Sequence, residues 1–473
     1  MRYYAVSLGC PKNTVDTESM GCILDAAGHE LVADPAQADL LLVNTCGFIA
    51  TARAESIQVL NELAANKRSG QRLIAAGCLS QRAGADLARQ VPGLDGILGT
   101  RRWGEVISLL DRLDHSQRQT PVTMVGDSPC AETELPRVTI QGASAYLKIA
   151  DGCSAPCAFC AIPSIKGPLR SRPVDEILAD ARLLAERGVL EIVLVAQDTT
   201  AYGRDRGERD ALPALLESLV EAVPQVPWIR IMYAYPQHIG ARLIETMSAY
   251  RPQIVPYLDL PLQHAHPDTL RRMRRPANVD RVRGLIARLR RAMPEIALRT
   301  AFIVGYPGET EAEFAALEAF LREIEFDKVG VFSYSPELGT PAYDLPHPVP
   351  AEVAEERYHR LMSAQQGISL ARNVAQVGRR LRVLVEGRGQ VEYEAKDGDE
   401  DAPPDAVRDA DPDALRPATI SVGRSYRDAP EIDGLVLIDG SPDGAPRDGP
   451  APGQMVEVEI TAAMEYDLLA KLC

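Results

Sequence analysis

The sequence lacks the long apolar runs of a membrane protein and the basic surplus of a protein that binds nucleic acid through phosphate contacts alone. No run of about eighteen apolar residues occurs, so no membrane span is expected. The first residues, MRYYAVSLGC, show neither the apolar core nor the cleavage site of a secretory signal peptide. The formal net charge is −15, which favours a basic partner. We therefore expect a cytoplasmic protein whose nine cysteines are ligands or buried thiols rather than disulfides.

Three of the cysteines are crowded into one loop, DGCSAPCAFCAI, at residues 151–162: Cys153, Cys157 and Cys160. Three thiolates in one loop form a soft-ligand site. A structural zinc site would usually bring a second cysteine pair or histidines downstream, and no second pair follows here. An iron–sulfur cluster fits better, because three protein thiolates leave one of four irons open to a small molecule. The loop closely resembles that of the radical S-adenosylmethionine (SAM) enzymes.

Three other cysteines each follow a predicted strand in the first segment of the chain. RYYAVSLG, DLLLVNT and RLIAAG are apolar runs separated by helical patterns, which predicts a parallel α/β domain. The strands end at Cys10, Cys46 and Cys78, each beside a glycine. Because the carboxyl ends of parallel strands share one edge, we expect the three thiols to converge. Small buried cysteines are the alternative, but three equivalent positions favour a second cluster.

The middle of the chain, residues 143–366, contains six strand and helix patterns and predicts a partial (βα)6 barrel. Its cysteine loop follows the first strand, at the edge where such barrels place their chemistry. Gln197 and Asp198 follow the second strand and Arg299 lies within the fifth, so we treat these three as candidates to hold SAM or substrate. A satisfied structural role is the alternative for each.

The last part of the chain has short alternating runs that predict a small antiparallel β-barrel. The predicted domains are 1–113, a polar linker at 114–138, 139–370 and 371–473. An acidic stretch, 392–413, is expected to be a disordered loop inserted in the barrel. Cys22, Cys130 and Cys473 are expected to be free thiols. The segment 271–291 holds nine arginines, which indicates a solvated helical face or a contact with an acidic or RNA-bearing partner.

SLGCPKNTVDTE, NTCGFIATARAES and GCLSQR, together with the cysteine loop, resemble the radical-SAM methylthiotransferase family over nearly the whole chain. GRSYRDAPEIDG and ITAAMEYDLLAKL resemble the TRAM domain of that family. The resemblance implies two 4Fe-4S clusters, an auxiliary one on Cys10, Cys46 and Cys78 and a SAM-binding one on Cys153, Cys157 and Cys160. It implies a radical-SAM core between the N-terminal domain and the TRAM barrel.

Within the family, LVAQDTTAYG and YLDLPLQHA look most like the members that modify a protein. Those members add a methylthio group to the β-carbon of an aspartate in the small-subunit ribosomal protein twelve, free or in the ribosomal subunit, and need an electron donor. The alternative is a tRNA adenosine methylthiotransferase, for which tRNA would be the partner. A different class is a non-catalytic iron–sulfur electron carrier, which would not cleave SAM.

Overall fold

The structure, a computed structural model, describes residues 1–115, 120–128, 136–394, 415–439 and 449–473. Cys130 and most of the predicted acidic loop lie outside the described residues, whereas Glu392–Glu394 end a strand. In the described ranges no helix is both long and apolar enough to cross a bilayer.

The N-terminal unit is a parallel sheet, as the apolar runs predict, but it has six strands where those runs marked three. The strands are β1 Arg2–Ser7, β2 Glu30–Leu31, β3 Leu40–Thr45, β4 Arg72–Gly77, β5 Gly96–Gly99 and β6 Val122–Met124, in the order β2-β1-β3-β4-β5-β6. Strand β3 is buried along its whole length because helices cover both faces of the sheet. The helices are α1 Pro11–Ala26, α2 Ala50–Ala65, α3 Cys78–Gln90 and α4 Val106–Asp114. Strand β6 lies inside the segment predicted as a linker, so part of that segment belongs to the sheet.

The central unit is the predicted partial (βα)6 barrel, built on six parallel strands: β8, β11, β12, β13, β14 and β15. The strands of this unit are β7 Val138–Gln141, β8 Ser144–Lys148, β9 Ala150–Asp151, β10 Arg170–Ser171, β11 Glu191–Val195, β12 Trp228–Ile231, β13 Tyr257–Asp259, β14 Ala297–Val304 and β15 Lys328–Ser333. Its helices are α5 Ile162–Lys166, α6 Val174–Glu186, α7 Ala211–Ala222, α8 Ala241–Ala249, α9 Pro267–Arg272, α10 Val279–Ala292, α11 Glu311–Ile324 and α12 Ala351–Val374. These strands form a four-stranded sheet, β12-β11-β8-β7, and a three-stranded sheet, β13-β14-β15, and a parallel bridge between Ile229 and Ile254 joins them.

The first helix of the N-terminal unit packs against the inner face of this barrel. Side chains along a strand alternate between faces, so Ile192 and Leu194 pack with the outer helices while Val193 faces inward. Val15 of α1 joins the inward cluster with Val193 and Met232. Helix α1 therefore lies where the two units meet.

The C-terminal unit is a closed five-stranded barrel in the order β16-β17-β18-β20-β19. Its strands are β16 Arg380–Glu394, β17 Leu415–Ser425, β18 Val436–Asp439, β19 Met455–Ala463 and β20 Leu468–Leu472. Strands β18 and β20 pair in parallel, and the other four pairings are antiparallel as expected. Arg424 anchors this unit to the central barrel by pairing with Glu191 at 2.6 Å. The domain limits stay predictions, and residue 370 lies inside α12.

Candidate metal centres between the sheet and the barrel

Cys10, Cys46 and Cys78 converge at the carboxyl edge of the N-terminal sheet. Cys10 immediately precedes α1, Cys46 follows β3 directly and Cys78 is the first residue of α3. The backbone at Gly9, beside Cys10, lies so close to Cys46 that a Cβ on Gly9 would be 2.8 Å from the Cys46 sulfur. Gly9 also has φ +94°, which favours glycine. Asn13 ties the loops together, because its Nδ2 donates to the carbonyls of Leu8 at 2.9 Å and Thr45 at 3.2 Å. The edge position and the glycine were visible in the sequence.

Burial raises the pKa of two thiols of the first trio, Cys46 and Cys78. Desolvation raises the pKa of Cys78 to about 12, and the neighbouring Cys10 and Cys46 thiols act in the same direction. Burial likewise raises the pKa of Cys46. A bound metal needs thiolates, so binding at this trio must release protons.

Cys153, Cys157 and Cys160 form the second trio, in the loop between β9 and α5. The Ala155 N–H donates to the Cys153 sulfur at 3.4 Å, and Arg275 Nη1 donates to the Cys157 sulfur at 3.6 Å. Burial raises the pKa of Cys160 to about 12, and the Cys157 and Cys153 thiols add to that rise. This loop therefore holds its donors near each other, as its spacing predicts.

Three cysteine thiolates suit an iron–sulfur cluster, because they leave one of its four irons without a protein ligand. A structural zinc site would need a fourth protein ligand beside each trio. Among the described residues, His266, Asp268 and Glu313 bring three ligand atoms within 4.8 Å of one another, but Glu313 is already paired with Arg272 at 2.8 Å.

One short loop, residues 233–235 after β12, lies between the two trios. The ring centroid of Tyr233 is 3.4 Å from Nζ of Lys12, which follows Cys10 by two residues. The ring of Tyr235 is 4.1 Å from the guanidinium of Arg275, the residue that donates to Cys157. Residues 233–235 therefore contact the surroundings of both trios.

A buried charge cluster joins helix α1 of the N-terminal unit to the barrel. Asp16 of α1 accepts from Lys148 at 2.7 Å and from Lys166 at 2.6 Å, and it also pairs with Arg137. Asp151 binds Lys148 at 2.5 Å and precedes Cys153 by two residues. Lys166 also lowers the pKa of Cys78, against the larger effect of burial. The cluster thus contacts the surroundings of both trios.

The three predicted SAM or substrate candidates differ in what they still offer to a ligand. Gln197 donates to Asp151 at 3.4 Å, and its buried Oε1 has no hydrogen-bond partner among the described residues. Asp198 caps a 3-10 turn by accepting from the Ala201 N–H at 3.1 Å, and it pairs with His238 at 2.9 Å. Gln197 keeps an acceptor for a ligand, whereas Asp198 has a structural role beside the second trio.

Arg299, the third candidate, is engaged in ion pairs. Its guanidinium binds Asp259 at 2.9 Å and Asp433 of the C-terminal barrel at 3.4 Å. It therefore links two units of the structure.

Sequence reasoning missed four residues at this site: Lys12, Asp16, Tyr233 and Arg275. Arg275 lies within the arginine-rich segment, but nothing in that segment marks which arginine turns inward. Lys12 lies in the CPKN segment beside Cys10, which was the available signal.

Family models match all three units. The matches are "Uncharacterized protein family UPF0004" over residues 2–99, "Radical SAM superfamily" over 147–321 and "TRAM domain" over 413–473. The chain is 48% identical to the ribosomal protein uS12 methylthiotransferase RimO of Roseiflexus sp. (strain RS-1), over 100% of this chain and 97% of that one. It is 49% identical to RimO of Chloroflexus aurantiacus, over 99% of each chain. This chain belongs to the RimO family.

Membership of the RimO family confirms the resemblance inferred from the motifs and makes the chain a radical-SAM enzyme, so the electron-carrier alternative is wrong. Among solved structures, the radical SAM methyltransferase TsrM from Kitasatospora setae superposes with a TM-score of 0.55 at 13% identity, over 75% of this chain and 78% of that one. That likeness shows a shared fold alone.

Proposed function

We propose that this chain adds a methylthio group to the β-carbon of an aspartate in ribosomal protein uS12. One 4Fe-4S cluster would be held by Cys153, Cys157 and Cys160, and a second by Cys10, Cys46 and Cys78. The observation that carries the proposal is a pair of three-thiol sites whose surroundings are both contacted by residues 233–235. A single cluster would serve SAM cleavage alone, whereas a second one beside it suits sulfur transfer.

The clusters and SAM would supply the radical chemistry that opens an unactivated C–H bond, which acid and base side chains cannot do. The chain's own residues bind and orient the reactants. The Asp16 charge cluster keeps the two trios in register, and Gln197 Oε1 offers an acceptor to a SAM hydroxyl or amino group. The proposal also calls for a reduced electron donor and places the enzyme in the cytoplasm with its ribosomal target.

The arginine-rich segment gives tRNA little support as a substrate. Several of its arginines pair with carboxylates of the same chain: Arg271 with Asp268, Arg272 with Glu313 and Arg283 with Glu323. These pairs reduce the free positive charge available to phosphates. The net charge of −15 also favours a basic protein over a nucleic acid.

The test is anaerobic reconstitution of the full chain with iron and sulfide, followed by reaction with purified uS12, SAM and a reductant. Mass spectrometry should find a methylthio group on one aspartate of uS12, and 5′-deoxyadenosine should form. A variant with Cys10, Cys46 and Cys78 replaced by alanine should still form 5′-deoxyadenosine but should leave uS12 unmodified. Methylthiolation of tRNA adenosine in place of uS12 would overturn the proposal.

A further inference from the structure

Lys12 is an internal cation that has no carboxylate partner among the described residues. Its side chain is only partly exposed, and its ammonium lies over the ring of Tyr233 at 3.4 Å. The buried lysines behave differently, because each lies within 2.8 Å of a carboxylate: Lys148, Lys166 and Lys328. A half-buried ammonium without a carboxylate partner is costly, and an aromatic face offsets only part of that cost.

The neighbouring charged groups are already occupied. Asp259 is the carboxylate that attracts Lys12 electrostatically without a direct ion pair. It is already bound to Arg299 at 2.9 Å. Arg275, the cation on the other side of residues 233–235, donates to the Pro261 carbonyl and to the Cys157 sulfur. Cys10, two residues away, also acts electrostatically on Lys12. The Lys12 ammonium carries three N–H donors and has no carboxylate partner among the described residues, so it can still bind an incoming carboxylate.

We propose that Lys12 binds the carboxylate of the target aspartate and thereby makes the site specific for an acidic side chain, an inference that rests on the proposed function. The β-carbon of an aspartate is bonded directly to its carboxyl carbon. Anchoring the carboxylate at Lys12, two residues from Cys10, holds that carbon between the two trios with little freedom. A neutral side chain would leave the ammonium without a partner, so it would be rejected.

The test compares two substrates with two enzymes, all as reconstituted full-length proteins kept free of oxygen. The substrates are uS12 and a uS12 variant in which the target aspartate is asparagine. The enzymes are the native chain and Lys12→Met, which keeps the length of the side chain and removes its charge. Fluorescence anisotropy of labelled uS12 gives Kd, and methylthiolation of uS12 gives kcat/KM.

The native enzyme should bind uS12 about ten to a hundred times more tightly than the asparagine variant, as expected for a hydrogen-bonded charge pair. In Lys12→Met this ratio should fall close to one, and in Lys12→Arg it should be largely retained. Lys67→Met is the matched control, since Lys67 pairs with Asp95 away from the trios and its loss should leave the ratio unchanged. Iron analysis verifies that each variant holds both clusters.

Equal binding of the two substrates by the native enzyme would overturn the inference whatever the variants do. An unchanged ratio in Lys12→Met would do the same. If Lys12→Met loses its clusters, the native and Lys12→Arg measurements still decide the question. Failure of the native enzyme both to bind and to modify uS12 would count against the proposed function instead.

Discussion

Replacing Asp16 by asparagine tests how the two thiol sites are held in register. Asp16 is 2% exposed and accepts from Lys148 at 2.7 Å and Lys166 at 2.6 Å, with Arg137 also paired to it. Asp151 is the second carboxylate of the cluster. Asp16→Asn keeps the shape of the side chain but leaves three buried cations facing one carboxylate.

The expected loss of stability is large because the charges are buried. Removing one partner of a buried ion pair costs about 3–5 kcal/mol, since the remaining charges are left without compensation. The neighbouring cations lower the pKa of Asp16 although its burial acts in the opposite direction. A carboxyl whose pKa is lowered by folding stabilises the protein above its ordinary pKa of 3.8, and that contribution is lost as the pH falls through the folded value. The deficit of Asp16→Asn should therefore be full at pH 7 and should shrink in acid.

The assay measures the free energy of unfolding in urea at several pH values, with the full chain kept free of oxygen. Circular dichroism monitors the unfolding. Asp86→Asn is the matched control, because Asp86 pairs with Arg89 on the surface with 60% of its side chain exposed. Such an exposed pair should contribute about 1 kcal/mol or less. If Asp16→Asn costs no more than Asp86→Asn at pH 7, the assignment of this cluster as the link between the sheet and the barrel is refuted.

Three further changes should have distinct effects. Glu191→Gln should destabilise the chain by roughly 3 kcal/mol at pH 7, because, against the opposing effect of burial, two buried arginines lower the pKa of Glu191 from 4.5 to about 2. Urea titrations should show this deficit fading between pH 4.5 and 2, and a deficit independent of pH would contradict the reasoning. Cys46→Ala should halve the iron bound by the reconstituted chain, whereas Cys22→Ala, at an exposed thiol, should leave iron analysis unchanged. Arg275→Gln should make the midpoint potential of the second cluster more negative in an anaerobic redox titration, since it removes a cationic donor to the Cys157 sulfur; an unchanged potential would show that this contact does not reach the cluster.

The sequence predicted the barrels and the convergence of the thiols because both depend on local signals. Alternating and continuous apolar runs mark strands, and in a parallel sheet the strand ends must share an edge. Cys10, Cys46 and Cys78 therefore came together from far apart in the chain with no knowledge of side-chain contacts. Strand β6 was missed because its three residues lie in a polar, turn-rich segment without such a run.

The partners of charged side chains could not be predicted, because they depend on contacts between distant segments. Asp16 and Lys148 are 132 residues apart, and no pattern in either segment points to the other. Arg299 was placed correctly in the fifth barrel strand, but its pairing with Asp433 depends on where the C-terminal barrel docks. The contact between Lys12 and Tyr233 could not be predicted for the same reason, because the two residues lie in distant segments.

Helix α1 explains why the two sites keep a fixed relation although they belong to different units. In its first turns, Lys12 contacts Tyr233 and Asn13 donates to the carbonyl of Leu8. Val15 packs in the barrel interior, and Asp16 belongs to the buried charge cluster. An α-helix is a rigid element with a rise of about 1.5 Å per residue, so these contacts cannot shift independently. The apolar contact and the buried ion pairs hold the helix in the barrel, and the helix in turn holds Cys10. The proposed carboxylate site and Cys10 therefore move as one body, which a flexible linker between the units could not achieve.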